Sequence, residues 1–137
     1  MGFSCAVIDH SPVAGRKVRL AGGGKGNVTN RYISPEWYVG TQKGFPDTLL
    51  KRCSTDFVLS MLASFGIEWE EREYGQIFCT VQAARLVASM AAACRNAGAE
   101  LLFNRTFGEI RHEGGLFSVE TSGGTLQAPR LVIATGS

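Results

Sequence analysis

The sequence lacks the patterns of a metal site or a disulfide scaffold. Its 137 residues contain only two histidines and four cysteines, and no CxxC pair or ligand-like spacing joins them. Because we find no secretory leader and no dense cysteine pattern, we expect reduced thiols that behave as small buried apolar residues. The composition therefore predicts a cytoplasmic protein that holds no metal.

Long apolar runs and a strong excess of charge are also missing. The longest apolar run, around residues 83–94, is too short and too interrupted to cross a bilayer. Fourteen basic residues against 12 acidic ones give a net charge of +2, which is too balanced for bulk nucleic-acid binding. A hydrophobic content of 45% can build a core. We expect a globular domain with no membrane or nucleic-acid partner.

One segment has no acid at all. No Asp or Glu occurs between His10 and Pro35, whereas five basic residues do: Arg16, Lys17, Arg19, Lys25 and Arg31. Four glycines, Gly22 to Gly24 and Gly26, stand among them and would let the backbone approach a flat or phosphorylated ligand. The segment is neither a Walker A loop nor a GxGxxG turn, since both spacings fail. It predicts a local anion site, and a plain surface loop is the alternative.

Apolar spacing predicts an α/β fold with an antiparallel insertion. "FSCAVID" is typical of a buried strand, and Ser54 is a suitable N-cap for the second of two helices, in "PDTLLKR" and "STDFVLSMLASFG". "GIEWEEREYGQIFC" predicts a hairpin that turns at Tyr74 and Gly75, and a third helix should cover Val81 to Asn96. Strands are then predicted in "AELLF", "TFGEIRH", "LFSVETS", "GTLQA" and, buried, "RLVIATGS".

Two strand ends could bind a cofactor. Asp9 closes the first strand, where a carboxylate could accept hydrogen bonds from ribose hydroxyls, although strands also end in Asp for turn chemistry alone. Ala134, Thr135 and Gly136 end the last strand with small residues that permit close approach of a cofactor, or they form a simple exit into a turn.

Three segments together resemble a known family. "VIDHSPVAGRKVRLAGGGKGNVTN", "FGIEWEEREYGQIFC" and "LVIATGS" are similar, in order and spacing, to FAD-dependent flavoproteins of the aminoacetone oxidase or bile-acid-reductase-like family. The resemblance covers essentially the whole chain, and the specific part is the run from Gly15 to Asn30. The chain differs from the family pattern at Ala21, Lys25 and Gly26, where the family usually has Ser, Arg and Cys.

The resemblance implies a two-dinucleotide-binding-domain, glutathione-reductase-like FAD fold. Residues 1–137 would then be a single partial Rossmann-like FAD-binding domain that lacks the first strand, its GxGxxG turn and the first helix, and also the C-terminal part. FAD is the implied cofactor, NAD(P)H could be a reductant in the intact family protein, and the implied substrate is a small molecule. The implied cofactor-binding residues are Asp9 at the ribose, Arg16 and Lys17 near the ribose and phosphates, Gly22, Gly23, Gly24, Asn27, Thr29 and Asn30 at the flavin, Phe107 at the adenine, and Ala134, Thr135 and Gly136 beside the FAD.

The expected function is that of an FAD-dependent oxidoreductase present as a fragment. No general acid or base is nominated, because His10, Glu70, Glu71, Trp69 and Tyr74 each have a structural explanation. One alternative is an inactive fragment that self-associates through exposed sheet edges. Another is a nucleic-acid-binding module formed by residues 15–38, with Tyr32, Trp37 and Tyr38 as stacking rings.

Overall fold

The computed structural model describes residues 4–40 and 44–136. Its helices are Arg16–Leu20 (α1), Phe45–Arg52 (α2), Thr55–Ser64 (α3) and Ala83–Asn96 (α4). Its strands are Cys5–Ile8 (β1), Asn27–Asn30 (β2), Trp69–Glu71 (β3), Gln76–Cys79 (β4), Ala99–Leu102 (β5), Phe107–Glu113 (β6), Leu116–Thr121 (β7) and Gly124–Ala128 (β8). Three short 3-10 turns lie at Ala21–Gly24, Pro35–Trp37 and Glu73–Gly75.

The strands form one parallel pair and two antiparallel sheets. β1 pairs with β5 in parallel, β4 lies between β2 and β3, and β7 lies between β6 and β8. The predicted α/β class with antiparallel insertions is confirmed. The chain groups into two compact units, a first unit of residues 1–14 and 94–137 and a second unit of residues 15–93, which are described separately. The single domain predicted for residues 1–137 stays a prediction.

The first unit contains the parallel pair and the β6–β8 meander. In the pair, Cys5 is opposite Ala99 and Ile8 is opposite Leu102, so both strands reach their carboxyl ends at the same edge. The meander runs through two tight turns and buries Val119 at its centre. This arrangement places the loops after β1 and β5 next to each other.

The second unit holds the main apolar core. Leu62 of α3, Ile67, Cys79 of β4 and Leu86 of α4 are buried together, each at most 3% exposed. The partly buried apolar residues around them are Val28, Leu59, Phe65, Val81 and Met90. β4 lies in the middle of its sheet and carries the buried residues 77–79. It therefore packs both the turn Ala21–Gly24, called the glycine-rich turn below, and the β3–β4 hairpin against one core.

Several local predictions are confirmed. Ser54 caps α3, since its hydroxyl accepts a hydrogen bond from the backbone N–H of Phe57 at 3.2 Å. Gly66 follows that helix with a φ of +64°, a conformation that glycine adopts readily. The hairpin forms as β3 and β4, with its turn at residues 73–75. The third predicted helix is α4, which begins at Ala83 rather than at Val81.

Other predictions are corrected. Leu131–Gly136 forms no strand among the described residues, and Val132 and Ile133 are 84% and 64% exposed, because apolar content alone does not supply a pairing partner. The first strand forms, but Cys5 to Val7 are exposed rather than buried. Phe3 and Ser137, the outermost residues of these two predicted strands, lie outside the described residues. The long loop predicted after β1 contains α1, a 3-10 turn and β2.

Candidate functional site

Asp9 lies directly after β1 in the first unit. Its backbone N–H donates to the carbonyl of Leu102 at 3.0 Å, which extends the pairing with β5 by one step. Its Oδ1 accepts a hydrogen bond from the backbone N–H of Ser11 at 2.8 Å and lies 3.6 Å from Nδ1 of His10. No hydrogen bond from a described residue reaches Oδ2, and the side chain is 35% exposed. One carboxylate oxygen thus makes the turn, and the other is available to a ligand.

The other predicted cofactor residues of the first unit are spread along it. Phe107 begins β6 opposite Thr121 and is 49% exposed. Ala134, Thr135 and Gly136 belong to the exposed segment that forms no strand, and Gly136 has a φ of +70°. These positions are compatible with backbone contacts to a cofactor, and their assignment remains a prediction.

The glycine-rich turn of the second unit has an unusual backbone. Gly22 and Gly23 both adopt left-handed conformations, with φ values of +59° and +66°, and Gly24 has a φ of +84°. A Cβ on Gly22 would lie 2.5 Å from Cε1 of Phe78, whereas a Cβ on Gly23 would meet no atom within 4 Å. One glycine therefore lets the turn pack on the sheet, and its neighbour leaves open space on which a flat ligand could lie.

Strand β2 carries the three polar residues that the family resemblance predicts to lie at the flavin. Asn27 is exposed, and Thr29 and Asn30 are half-buried. Asn30 has a structural task, because its Nδ2 donates to the carbonyl of Tyr74 at 2.9 Å and its Oδ1 accepts from the backbone N–H of Tyr32 at 2.8 Å. Asn27 and Thr29 show no such side-chain bonds within the described residues, so they are freer to contact a ligand.

Four basic residues in or beside the glycine-rich turn are exposed and unpaired. Arg16, Lys17 and Arg19 of α1 are exposed, as is Lys25, and none of the four makes an ion pair with a described residue. Arg31 differs, because it pairs with Glu71 at 3.2 Å and lies over the Trp69 ring at 5.5 Å. The four unpaired cations are therefore available to an anion, whereas Arg31 fastens β2 to β3.

The end of the turn adjoins a shallow depression in the second unit. This depression, about 270 Å³ in volume, is lined by Lys25, Glu70, Arg72, Cys79, Thr80, Val81 and Gln82. A Cβ on Gly26 would lie 3.4 Å from the Cys79 sulfur, so the backbone passes close to this thiol. Burial raises the pKa of the Cys79 thiol, which favours its neutral form and low reactivity.

The charged residues of the two antiparallel sheets form local ion pairs. Glu70 accepts from Nε of Arg72 at 2.7 Å, and Arg72 also lies over the Phe78 ring at 4.2 Å. In the first unit, hydrogen bonding from Arg111 lowers the pKa of the Glu109 carboxyl, and the same contact raises the pKa of Arg111. These are paired surface groups, and they supply no general acid or base.

Sequence reasoning missed Arg105. Its backbone N–H donates to the carbonyl of Asp9 at 3.1 Å, so it lies at the edge where β1 and β5 both end. The signal was present, because Asn104 and Arg105 are polar residues that directly follow the apolar strand "AELLF", as Asp9 follows β1. The structure brings Asp9 and Arg105 together in the first unit, and it gathers Arg16, Lys17, the glycines and β2 in the second.

Comparison with known proteins identifies the family. The model described as the HI0933-like protein Rossmann domain matches residues 1–137. The chain belongs to this family. The Rossmann-like fold predicted from the sequence is thereby confirmed, and the parallel β1–β5 pair is its parallel sheet. The aminoacetone oxidase or bile-acid-reductase-like assignment is finer than this and stays a prediction.

The chain is also similar to named curated proteins. The chain is 29% identical over 140 residues to a ribosomal RNA dihydrouridine synthase of Haemophilus influenzae, covering 99% of this chain and 35% of that protein. It is 28% identical over 135 residues to a ribosomal RNA dihydrouridine synthase of Escherichia coli, covering 98% of this chain and 34% of that protein. The chain thus spans about a third of the length of these relatives.

A solved structure shows a weaker likeness. The open form of NikD, an unusual amino acid oxidase essential for nikkomycin biosynthesis, is 16% identical and superposes with a TM-score of 0.33, over 54% of this chain and 24% of that one. A score this low carries no argument about the site. Among the described residues, no helix is long and apolar enough to cross a membrane.

Proposed function

We propose that this chain is an FAD-binding Rossmann segment of an oxidoreductase. The observation that carries the proposal is the position of Asp9, whose unbonded Oδ2 lies at the carboxyl end of a parallel strand in a Rossmann-domain family member. A carboxylate in this position can accept hydrogen bonds from the adenosine ribose hydroxyls of a dinucleotide. The resemblance to FAD-dependent flavoproteins makes FAD the cofactor of choice.

The residues present fit this cofactor in each unit. In the first unit, Asp9 has a free acceptor for ribose. In the second unit, Gly23 offers open space for a flat ring, and Arg16 and Lys17 offer unpaired charge for phosphate. When bound, FAD would supply hydride transfer at its isoalloxazine ring. The chain's own residues would bind and orient the cofactor, with NAD(P)H as the proposed reductant in the intact family protein.

The first test is FAD retention. The purified chain is incubated with FAD and desalted, and its visible flavin absorbance is compared with that of Asp9→Asn and Asp47→Asn. Asparagine keeps the Oδ1 acceptor for Ser11 and so preserves the turn, but it loses the charge that favours ribose hydroxyl donors. We expect retention by the wild type and by Asp47→Asn, whose carboxylate lies on α2, and loss in Asp9→Asn. A colourless wild-type protein would argue for the alternative of an inactive fragment.

A second candidate function is RNA contact through residues 15–38. The observation that favours it is the set of four exposed, unpaired cations on α1 and the following turn, together with two relatives that are named for an rRNA uridine product. By this proposal the reduced substrate would be a uridine in RNA. It competes with the small-molecule substrate that the family resemblance implies, which stays a prediction.

Salt dependence tests the RNA candidate. Binding of a labelled single-stranded RNA is measured by fluorescence anisotropy over a series of salt concentrations. The variant Arg19→Glu/Lys25→Glu should bind more weakly, and removing two phosphate contacts should reduce the slope of log K against log salt by about 1.4. Lys51→Glu, an exposed charge reversal on α2, is the matched control. An unchanged slope in the double variant contradicts RNA contact at this segment.

A further inference from the structure

Strand β6 is an open edge of the three-stranded sheet in the first unit. Among the described residues it pairs only with β7, and all seven of its residues are exposed. Because the turn at 114–115 has two residues, Glu113 and Leu116 are the hydrogen-bonded pair that closes the hairpin. Backbone hydrogen bonding alternates along an antiparallel strand. The N–H and C=O groups of Ile110 and His112 therefore point away from β7, toward the open edge.

The charges of β6 are complementary to those of a second β6. Glu109 and Arg111 lie on one face of the strand, where Nε of Arg111 donates to Oε1 of Glu109 at 2.8 Å. An antiparallel pairing with Ile110 opposite Ile110 places Glu109 of each copy directly opposite Arg111 of the other. Directly opposite residues lie on the same face of the sheet, and opposite charges there attract. Glu113 falls opposite Phe107, so no two acids of β6 face each other in this register.

The other face of β6 carries apolar residues that continue across the sheet. Ile110 is opposite Val119 of β7, and Val119 is opposite Leu126 of β8. In the same register, this row joins its copy through Ile110, which is exposed in the single chain. His112 falls opposite Gly108, which has no side chain to obstruct it. Both faces of the strand therefore suit the same register.

We propose that this chain forms a two-fold symmetric dimer in which the β6 strands of two copies pair antiparallel about Ile110. The two sheets become one continuous sheet, and each Ile110 exchanges backbone hydrogen bonds with its copy. Charge complementarity selects a second copy as the occupant of this edge, because β6 itself supplies an arginine opposite each Glu109. The dimer needs no cofactor, so this inference is independent of the proposed function.

Sedimentation equilibrium of the purified chain tests the dimer. Because one short strand makes a small interface, we expect reversible association within a range of about 10 μM to about 1 mM. Glu109→Arg and Arg111→Glu each place like charges opposite one another at two symmetry-related positions. Each change should raise the dimer dissociation constant roughly 10- to 100-fold. Glu100→Arg, an exposed charge reversal on β5, is the control and should leave the constant unchanged.

Mixing the two single variants separates recognition from a folding defect. Glu109→Arg and Arg111→Glu each repel their own copies, but in a mixed pair the arginines of one face the glutamates of the other. The mixture should therefore form a heterodimer with nearly the wild-type dissociation constant. The double variant Glu109→Arg/Arg111→Glu should dimerise with itself for the same reason. A variant that had lost the structure of β6 would not regain binding on mixing.

Amide hydrogen exchange locates the contact on the surface. The outward N–H groups of Ile110 and His112 should exchange more slowly as the concentration rises, whereas that of Arg111, which faces β7, should not change. A chain that stays monomeric up to about 1 mM overturns the inference. Association that neither single variant weakens also overturns it, because the contact then lies on another surface, such as the β8 edge.

Discussion

Replacing Gly22 by alanine tests whether the glycine-rich turn is a packed part of the fold. Gly22 has a φ of +59°, and a Cβ there would lie 2.5 Å from Cε1 of Phe78 and 3.1 Å from the backbone nitrogen of Asn27. Phe78 is 7% exposed on the central strand β4, so its ring has little room to move away. Gly23 has nearly the same φ, +66°, with no atom within 4 Å, which makes Gly23→Ala a matched control.

The free energies of unfolding of Gly22→Ala and Gly23→Ala should differ only by the cost of packing the added methyl group. A left-handed conformation costs a residue with a Cβ about 1–2 kcal/mol, and both variants incur this cost. Forcing a methyl group against packed atoms adds about 1–3 kcal/mol in Gly22→Ala only. We therefore expect free energies of unfolding lowered by about 1–2 kcal/mol for Gly23→Ala and by about 2–5 kcal/mol for Gly22→Ala. The loss of unfolded-state entropy that accompanies Gly→Ala is common to both and cancels in the comparison.

Urea unfolding followed by circular dichroism measures these differences. The double variant Gly22→Ala/Phe78→Leu adds a second check, because removing the ring edge should reduce the extra loss and give a favourable coupling energy. Equal destabilisation of Gly22→Ala and Gly23→Ala, with no coupling to Phe78, would refute the packing of this turn on β4.

Three further predictions concern the second unit. Ser54→Ala should lower the free energy of unfolding by about 1 kcal/mol because it removes the α3 cap, whereas Ser60→Ala, inside the same helix, should be neutral; equal urea midpoints for the two would contradict the cap. Tyr74 has a φ of +58° and is 84% exposed, so Tyr74→Gly should stabilise the protein by up to about 1 kcal/mol in the same assay, and Tyr38→Gly, at a φ of −101°, should not. Burial raises the pKa of Cys79, so the folded state holds this proton more tightly than the unfolded chain; the resulting stabilisation is complete below the ordinary thiol pKa of about 8.5 and is lost as the pH rises through the folded value. The free energy of unfolding, measured by urea titration at a series of pH values, should then fall less steeply in alkali for Cys79→Ala than for the wild type. A steeper fall in the variant would contradict a raised pKa for Cys79.

The sequence was sufficient to predict helix ends and tight turns, because these depend on residues that are close together along the chain. Ser54 before an apolar helical pattern and Gly66 after it were enough to place α3, and Tyr74 with Gly75 was enough to place the hairpin turn. These features depend on residues within one or two turns of the chain. They could be read from the sequence because no distant partner was needed.

Elements that depend on distant partners were missed or overstated. β2 exists because Asn27 and Asn30 pair with Phe78 and Gln76, far along the chain, and nothing in "NVTN" announces that pairing. Conversely, "LVIAT" has strong strand propensity, yet it forms no strand among the described residues. The polar residues Asn104 and Arg105 after an apolar strand were a readable signal, but the hydrogen bond from the Arg105 backbone to Asp9, far apart in the sequence, could not be read from it.

The parallel pairing of Cys5 with Ala99 also delays the completion of β1 during folding and synthesis. About 90 residues must be looped out before β1 meets β5, an entropic cost of about 4 kcal/mol that the tight turns of the β6–β8 meander avoid. At ribosomal rates of about 5–20 residues per second, β1 waits roughly 5–20 s for its partner to be synthesised. During that interval the apolar strand "CAVI" has no β5 partner, and an unpaired strand of this kind is a place where nascent chains can associate.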